Sequence, residues 1–525
     1  MSAGLKSWSR HTIVDLLRET AQASPQRTFV RFAGREFSYG VMDEASAAFA
    51  GALRAVGAGQ GSRVAIAMAN RPGFLVAFLG ILRCGATAVP LNTSYKADEY
   101  RYALDHAGCR AVVTEPGFAG VIADVCNRTP KAVPLFLADD DAPLLLRAQD
   151  GSAPAHGSTE DEPLLAPEDL AGIFYTSGTT ARPKGVMITH GNLVYSAEVT
   201  IRSLSLGPAD VPALAFPLFH ANSLFYGVLT AIVLGGTIGL LPGFSVSRYW
   251  AQVGQAGATW TPGITGPLMR LLLRQERTEE ETRHKLRFAV GGTFLSLEEV
   301  AEFTARFGVK LLPGWSMTET VSLGTLHPNL RALPIPTTTA IGFPTLGQEV
   351  RLVRDDGSDA APGEPGEILY RSPSLFAGYL DDPEATRNAF TSDGWLRTGD
   401  LACMDDRGYL SFVDRKKDMI KTRGENVAAA EVERVLNEHP GVLESAVIGV
   451  RSEVGLLGDR VEAYVVKSNR AAVDAEELRR WATEKLSDFK VPQVIHFMEA
   501  LPKTPLGKIQ RQQLRKARVS SAAED

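Results

Sequence analysis

Between residues 27 and 115 the sequence alternates strand-like and helix-like segments, and this alternation constrains the fold more than any other feature. RTFVRFAGREFSY (27–39) reads as a hairpin turning at Ala33-Gly34. VMDEASAAFAGALRAVG (41–57) has helical spacing, RVAIAMA (63–69) reads as a strand, GFLVAFLGILRCG (73–85) as a helix and TAVPL (87–91) as a strand. DEYRYALDHAG (98–108) and RAVVTE (110–115) repeat helix and strand. Strands interleaved with helices of this length predict βαβ units and a mostly parallel sheet covered on both faces.

Residues 139–170, rich in Asp, Pro, Gly and Ser, read as a surface connection, after which the rhythm resumes in FAVGG (288–292) and VKLLPGW (309–315). After residue 338, short strand signals separated by Gly and Pro (EVRLVRD, GEILYRS, GYLSFVD) predict an antiparallel β subdomain over about 339–413. From about 418 a last unit brings a helix (AAAEVERVLNEH), strands (SAVIGV, RVEAYVV), a second helix (EELRRWATEKL) and a basic tail. The expected class is α/β: a large body over 1–413, then a small α+β domain over 418–525. One stretch, 221–247, carries no charge and is long enough to raise a membrane span. Gly235-Gly236 and Pro242-Gly243 interrupt it, so it reads as a buried helix, a glycine turn and a short buried strand.

A formal net charge of −5 gives no electrostatic reason to expect nucleic acid or an anionic membrane as partner. The four cysteines are widely spaced, without a CxxC pair, and the first residues lack an apolar core with a cleavage site. A reducing cytosol is the expected setting.

YTSGTTARPKG (175–185) follows the apolar strand AGIFY. Glycines let backbone N–H groups turn toward an anion, hydroxyls add donors, and a lysine adds countercharge: the chemistry a polyphosphate needs. It is not a Walker loop, because Pro183 precedes Lys184 and Gly185 follows it. A flexible Ser/Thr/Gly surface loop is the competing reading.

With this loop, GWSMTET (314–320), GWLRTGDLA (394–402), DRKKDMIKTRGENV (414–427) and PKTPLGKIQR (502–511) occur in one order. In this order and spacing the chain resembles the adenylate-forming superfamily of acyl- and aryl-CoA synthetases, luciferases and peptide-synthetase adenylation domains, over nearly its whole length. The resemblance implies ATP, Mg²⁺ and coenzyme A. It assigns Thr176, Ser177, Gly178, Thr179 and Thr180 to the β- and γ-phosphates, Lys184 to the departing pyrophosphate, Glu319 to Mg²⁺ and Thr318 to the α-phosphate. Asp400 and Arg415 would hold ribose, while Gly291, Gly292, Thr293 and a stacking Trp315 would hold adenine. Lys508 would bridge the acid and the α-phosphate, Lys417 would mark a hinge at 414–417, and Gly424 would line the pantetheine tunnel. Alone, Thr318-Glu319 reads as a capped helix start, RTGD as a β-turn and Lys508 as one cation of a solvated tail.

Ser316 stands where the family usually has glycine, and Ala428-Ala429 replaces an aromatic-Pro pair. Either change bears on the balance of the two half-reactions. His220, Asn222, Phe225 and Ser316 are the expected acyl pocket. Phe219-His220 carries no acid where amino-acid-activating relatives place an aspartate, which argues against an amino-acid substrate. A free-standing carboxylate–CoA ligase is the expectation, with homodimerisation compatible. Loading of a carrier protein and a catalytically silent nucleotide-binding protein are the alternatives.

Overall fold

The structure is a computed structural model that describes residues 8–128, 133–139, 142, 144–148, 162–176, 183–291, 295–328, 334–422, 425–451, 459–468, 472–503 and 509–522. The alternation at 27–115 folds as expected. Thr28–Phe32 and Arg35–Ser38 form the hairpin, with Ala33 (φ 48°) and Gly34 (φ 78°) in the left-handed region that a tight turn requires. Helix Pro72–Arg83 is apolar up to its last residue, Arg83, and wholly buried. It crosses helix Tyr39–Ala55 so closely that a Cβ on Gly80 would meet Phe49 at 2.8 Å and the Ser46 carbonyl at 2.9 Å.

The largest sheet has eight strands. Five are parallel, in the order Leu170–Thr176, Thr87–Pro90, Arg63–Ala67, Ala111–Thr114 and Leu135–Ala138. The sheet is thus mostly parallel, as expected, with antiparallel strands at both margins. Lys184–Thr189 and Gly378–Tyr379 add antiparallel on one side, and Leu146–Ala148 adds antiparallel on the other. The last strand falls inside the expected surface connection, because Asp139 accepts from the Ala142 N–H at 3.1 Å and turns the chain back. Farther along that connection the Glu162 carboxylate is buried, paired at 2.8 Å with Nε of the fully buried Arg83.

The uncharged stretch at 221–247 forms a π-helical turn Asn222–Val228, a helix Leu229–Leu234, a left-handed Gly235 (φ 61°) and strand Ile238–Leu240. No described helix is long and apolar enough to cross a membrane. The antiparallel β sheet has seven strands. It includes Glu349–Val353, Gly366–Arg371, Leu396–Met404 and Leu410–Arg415, and reaches back to Gly314–Trp315.

In the small domain, strands Val442–Arg451, Asp459–Lys467 and Val494–Met498 alternate apolar side chains to both faces. Val447, Val461 and Val465 pack under helices Ala429–Asn437 and Ala475–Thr483, while Ile448, Tyr464 and Val466 pack against Leu514 of helix Arg511–Ala522. The basic tail is therefore part of the fold. Arg511 pairs with Glu433 at 2.7 Å and Arg515 with Asp418 at 3.1 Å.

Candidate active site

Strands Leu170–Thr176 and Lys184–Thr189 pair antiparallel with Thr176 opposite Lys184, and both strands are largely buried. Ser177, Gly178, Thr179 and Thr180 themselves lie outside the described residues. The end of the loop is pinned, because the Tyr102 hydroxyl donates to the Pro183 carbonyl at 3.0 Å. Lys184 extends over Tyr379, with Nζ 4.7 Å from the ring centre, a cation–π contact. Beside them opens a cavity of about 530 Å³, also lined by Asp382, Glu384, Asn388 and Arg397.

Glu319 sits in the short 3₁₀ turn Thr318–Thr320 and is 7% exposed. Its Oε1 accepts from the Tyr379 hydroxyl at 3.0 Å, and its carbonyl accepts from the Phe376 N–H at 3.1 Å. Val321, buried and β-branched, follows at φ 59° and ψ −46°. The Ser322 N–H closes a γ-turn on the Thr320 carbonyl at 2.6 Å. Such a conformation costs about 1–3 kcal/mol and persists only where its surroundings hold it. Here buried hydroxyls do so. Ser374 donates to the Thr320 carbonyl at 2.8 Å, Ser196 donates to the Val321 carbonyl at 3.0 Å, and Ser322 lies 2.7 Å from Ser374 and 3.1 Å from the Tyr370 hydroxyl. Burial raises the pKa of Glu319, opposed by the Tyr379 hydrogen bond and the Arg415 charge, while the Asp400 charge adds to the rise. Burial and the Glu319 charge in turn push the Tyr379 hydroxyl up, so it stays a donor.

A buried carboxylate with no lysine or arginine salt bridge among the described residues suits a hard cation. Mg²⁺ is commonly held by one or two carboxylates together with substrate phosphates, so the residues present fit that ion.

Asp400 is buried on strand Leu396–Met404, directly across from Arg415. Its Oδ2 accepts from the Trp315 indole N–H at 2.7 Å, and its Oδ1 lies 3.4 Å from Nε of Arg415. A carboxylate has about four acceptor directions, so lone pairs remain for two further donors. Trp315 is buried too, its ring edge-on to Tyr370 and packed against Gly324, where a Cβ would come within 2.6 Å. The two clusters are electrostatically joined, because Glu319 lies in the field of both Arg415 and Asp400.

Gly291 ends strand Phe288–Val290, and a Cβ there would sit 2.5 Å from the Ile264 carbonyl. Gly292 and Thr293 lie outside the described residues. His220 and Asn222 are half-buried at the start of the π-helical turn, with Asn222 Nδ2 donating to the Pro262 carbonyl at 2.9 Å. Phe225 is fully buried and edge-on to Phe174. Ser316 is exposed and hydrogen-bonded to the buried Tyr226 hydroxyl. Lys417 is exposed, whereas Gly424 and Lys508 lie outside the described residues. Lys503 and Ile509 form a bridge, and the Gln510 N–H donates to the Pro502 carbonyl at 2.8 Å.

Sequence reasoning missed Tyr379, Tyr226 and the Ser322–Ser374–Tyr370 network. Gly-Tyr before a proline-started helix carries no chemical signal of its own, and hydroxyls that meet only in three dimensions leave no spacing to read.

The profile of the AMP-binding enzyme family matches residues 17–380, and that of the AMP-binding enzyme C-terminal domain matches 431–508. A sulfoacetate–CoA ligase of Cupriavidus necator is 32% identical over 512 residues, covering 96% of this chain and 97% of that protein. The anthranilate CoA ligase AuaEII, solved with anthranoyl-AMP, superposes with a TM-score of 0.86 at 25% identity over 98% of each chain. ATP-bound MatB from Rhodopseudomonas palustris gives 0.83 at 28% identity, covering 96% of this chain and 98% of its own. The chain belongs to the AMP-binding enzyme family, in the adenylate-forming superfamily close to the acyl-CoA synthetases. It is an AMP-forming acid–thiol ligase.

Proposed function

We propose that this enzyme couples a carboxylic acid to coenzyme A in two half-reactions at one site. In the first, a carboxylate oxygen attacks the α-phosphorus of ATP, the bond from that phosphorus to the bridging oxygen breaks, and pyrophosphate leaves. In the second, the CoA sulfur attacks the acyl carbon, AMP departs with the carboxyl oxygen, and the thiol proton passes to solvent. Bringing anions together makes charge neutralisation and alignment the protein's task.

Lys184 and the 176–180 loop hold the β- and γ-phosphates, Thr318 donates to the α-phosphate, and Glu319 holds Mg²⁺, which supplies further neutralisation when bound. Asp400 accepts from the ribose hydroxyls, oriented by Trp315 and Arg415, and the backbone at Gly291, Gly292 and Thr293 borders the base beside Trp315. Lys508 aligns the acid with the α-phosphorus. A hinge at 414–417, with Lys417 in it, lets the domain from 418 onward turn so that the loop at Gly424 lines the thiol's approach. His220, Asn222, Phe225 and Ser316 border the acid.

The observation that carries this reading is the convergence of Glu319, Asp400 and Arg415 in one electrostatic neighbourhood with Trp315 bonded to Asp400. The relatives named for sulfoacetate and anthranilate span small and aromatic acids, so a panel of both is the starting screen. Pyrophosphate release is expected only with a cognate acid, followed by thioester on addition of CoA. Thioester formed solely on a carrier protein would overturn the CoA assignment, and pyrophosphate release with no acid of the panel would overturn the ligase reading.

A further inference from the structure

We propose that Tyr379 is a positioning residue that holds Lys184 and Glu319 apart and aims each at a different part of bound Mg²⁺·ATP. The inference rests on the reading that Glu319 holds the ion and Lys184 the phosphates. One aromatic side chain serves both charges. Its hydroxyl donates to Oε1 of Glu319 at 3.0 Å, while its ring face carries Nζ of Lys184 at 4.7 Å. Among the described residues Lys184 and Glu319 form no salt bridge with each other. A direct pair would neutralise both groups, leaving neither a cation for phosphate oxygens nor a carboxylate for a metal. The ring is a spacer that attracts the ammonium without consuming the carboxylate.

The backbone makes this placement rigid. Gly378 and Tyr379 pair with Met187 and Val186 on the strand that Lys184 begins, and the Leu380 N–H donates to the Gly185 carbonyl at 2.8 Å. The Tyr379 N–H donates to Thr386 Oγ1 at 2.9 Å. Gly378 adopts φ +128°, open to glycine and to few other residues, so the chain can turn the tyrosine inward at this point. On the other side, Phe376 binds the Glu319 carbonyl through its N–H and packs its ring 4.9 Å from that of Tyr379. The segment 376–380 thus grips the Glu319 turn and the Lys184 strand at once, beside the open cavity.

Calorimetric titration of ATP at several Mg²⁺ concentrations tests this on the full chain and needs no acid substrate, so its outcome is separate from that of the ligase reading. Tyr379→Phe keeps the ring and removes the hydroxyl. It is expected to raise the Mg²⁺ concentration needed for half-maximal ATP binding by about five- to tenfold, with ATP affinity at saturating Mg²⁺ within about twofold of the original. Tyr379→Leu removes both contacts and is expected to lower ATP affinity by more than about tenfold at any Mg²⁺ concentration, as Lys184 falls onto Glu319. Adding Lys184→Met to Tyr379→Leu should then recover part of the Mg²⁺ response by freeing Glu319. A Phe variant with the original Mg²⁺ response, or Phe and Leu variants that behave alike, would overturn the proposal. Because Phe is nearly isosteric, that comparison decides the matter even if the Leu variant does not fold.

Discussion

The indole N–H of Trp315 reaches Oδ2 of Asp400 at 2.7 Å across 85 residues of sequence, and both side chains are buried. The two residues stand on strands that do not pair with each other. Gly314–Trp315 and Leu396–Met404 lie in the same seven-stranded sheet, which also sets Arg415 opposite Asp400.

Trp315→Phe keeps the bulk and removes the donor, leaving a buried carboxylate one partner short. Unfolding free energy is expected to fall by about 1–3 kcal/mol and KM for ATP to rise about tenfold. Asp400→Asn keeps an acceptor for the indole but loses the charge proposed to bind the ribose. Comparing ATP with its 2′- and 3′-deoxy analogues tests the role. The analogue penalty should shrink in Asp400→Asn, and an unchanged penalty would place the ribose elsewhere.

The raised pKa of Glu319 has a definite sign. Its stabilising contribution is full below the ordinary value of 4.5 and is lost as pH rises through the higher folded value, where a buried charge must be carried. Glu319→Gln should therefore melt above the original protein at pH 8, and the difference should close below about pH 4.5. Mg²⁺-dependent pyrophosphate release should be lost in the same variant. Melting curves that coincide at pH 8 would show that Glu319 carries no such penalty.

Ser374 donates to the carbonyl that closes the strained turn and touches Ser322 and Ser372 as well. Ser374→Ala is expected to cost about 1–3 kcal/mol, since it orphans buried polar atoms. Freed from that clamp, the turn should release Glu319, so the Mg²⁺ requirement rises while KM for the acid holds. Denaturant unfolding and a Mg²⁺ titration read the two effects separately.

Two cations three residues apart should behave in opposite ways. Arg511 lies against Glu433, itself 9% exposed. Arg511→Ala is expected to destabilise the small domain by about 3–5 kcal/mol because it strands a buried carboxylate. Lys508→Ala should leave stability within about 0.5 kcal/mol and slow adenylation by about a hundredfold or more. Protease sensitivity of the small domain and acid-dependent pyrophosphate release distinguish them. A Lys508→Ala enzyme that releases pyrophosphate at the original rate contradicts the catalytic assignment.

Much of the architecture was legible because it is written in local periods. The hairpin at Ala33-Gly34, the parallel strands through Ala111–Thr114 and the broken apolar run ending in Ile238–Leu240 all follow from alternation, helical spacing and glycine. The antiparallel margins of the large sheet were not legible, since strand direction depends on partners far away in sequence. The anchoring of the basic tail was not legible for the same reason. Its charges look solvated until Arg511 and Arg515 meet Glu433 and Asp418.

Residue types and their order by themselves determined the family, because a glycine- and hydroxyl-rich loop, a Thr-Glu pair, a Thr-Gly-Asp and a late lysine follow one another in the order that resembles the adenylate-forming enzymes. Only the tertiary structure decided that Tyr379 stands between Lys184 and Glu319, that Trp315 is spent on Asp400, and that Val321 is held in a strained turn by buried hydroxyls. Those relations arise where segments distant in sequence are packed together, and such distances have no counterpart in spacing along the chain.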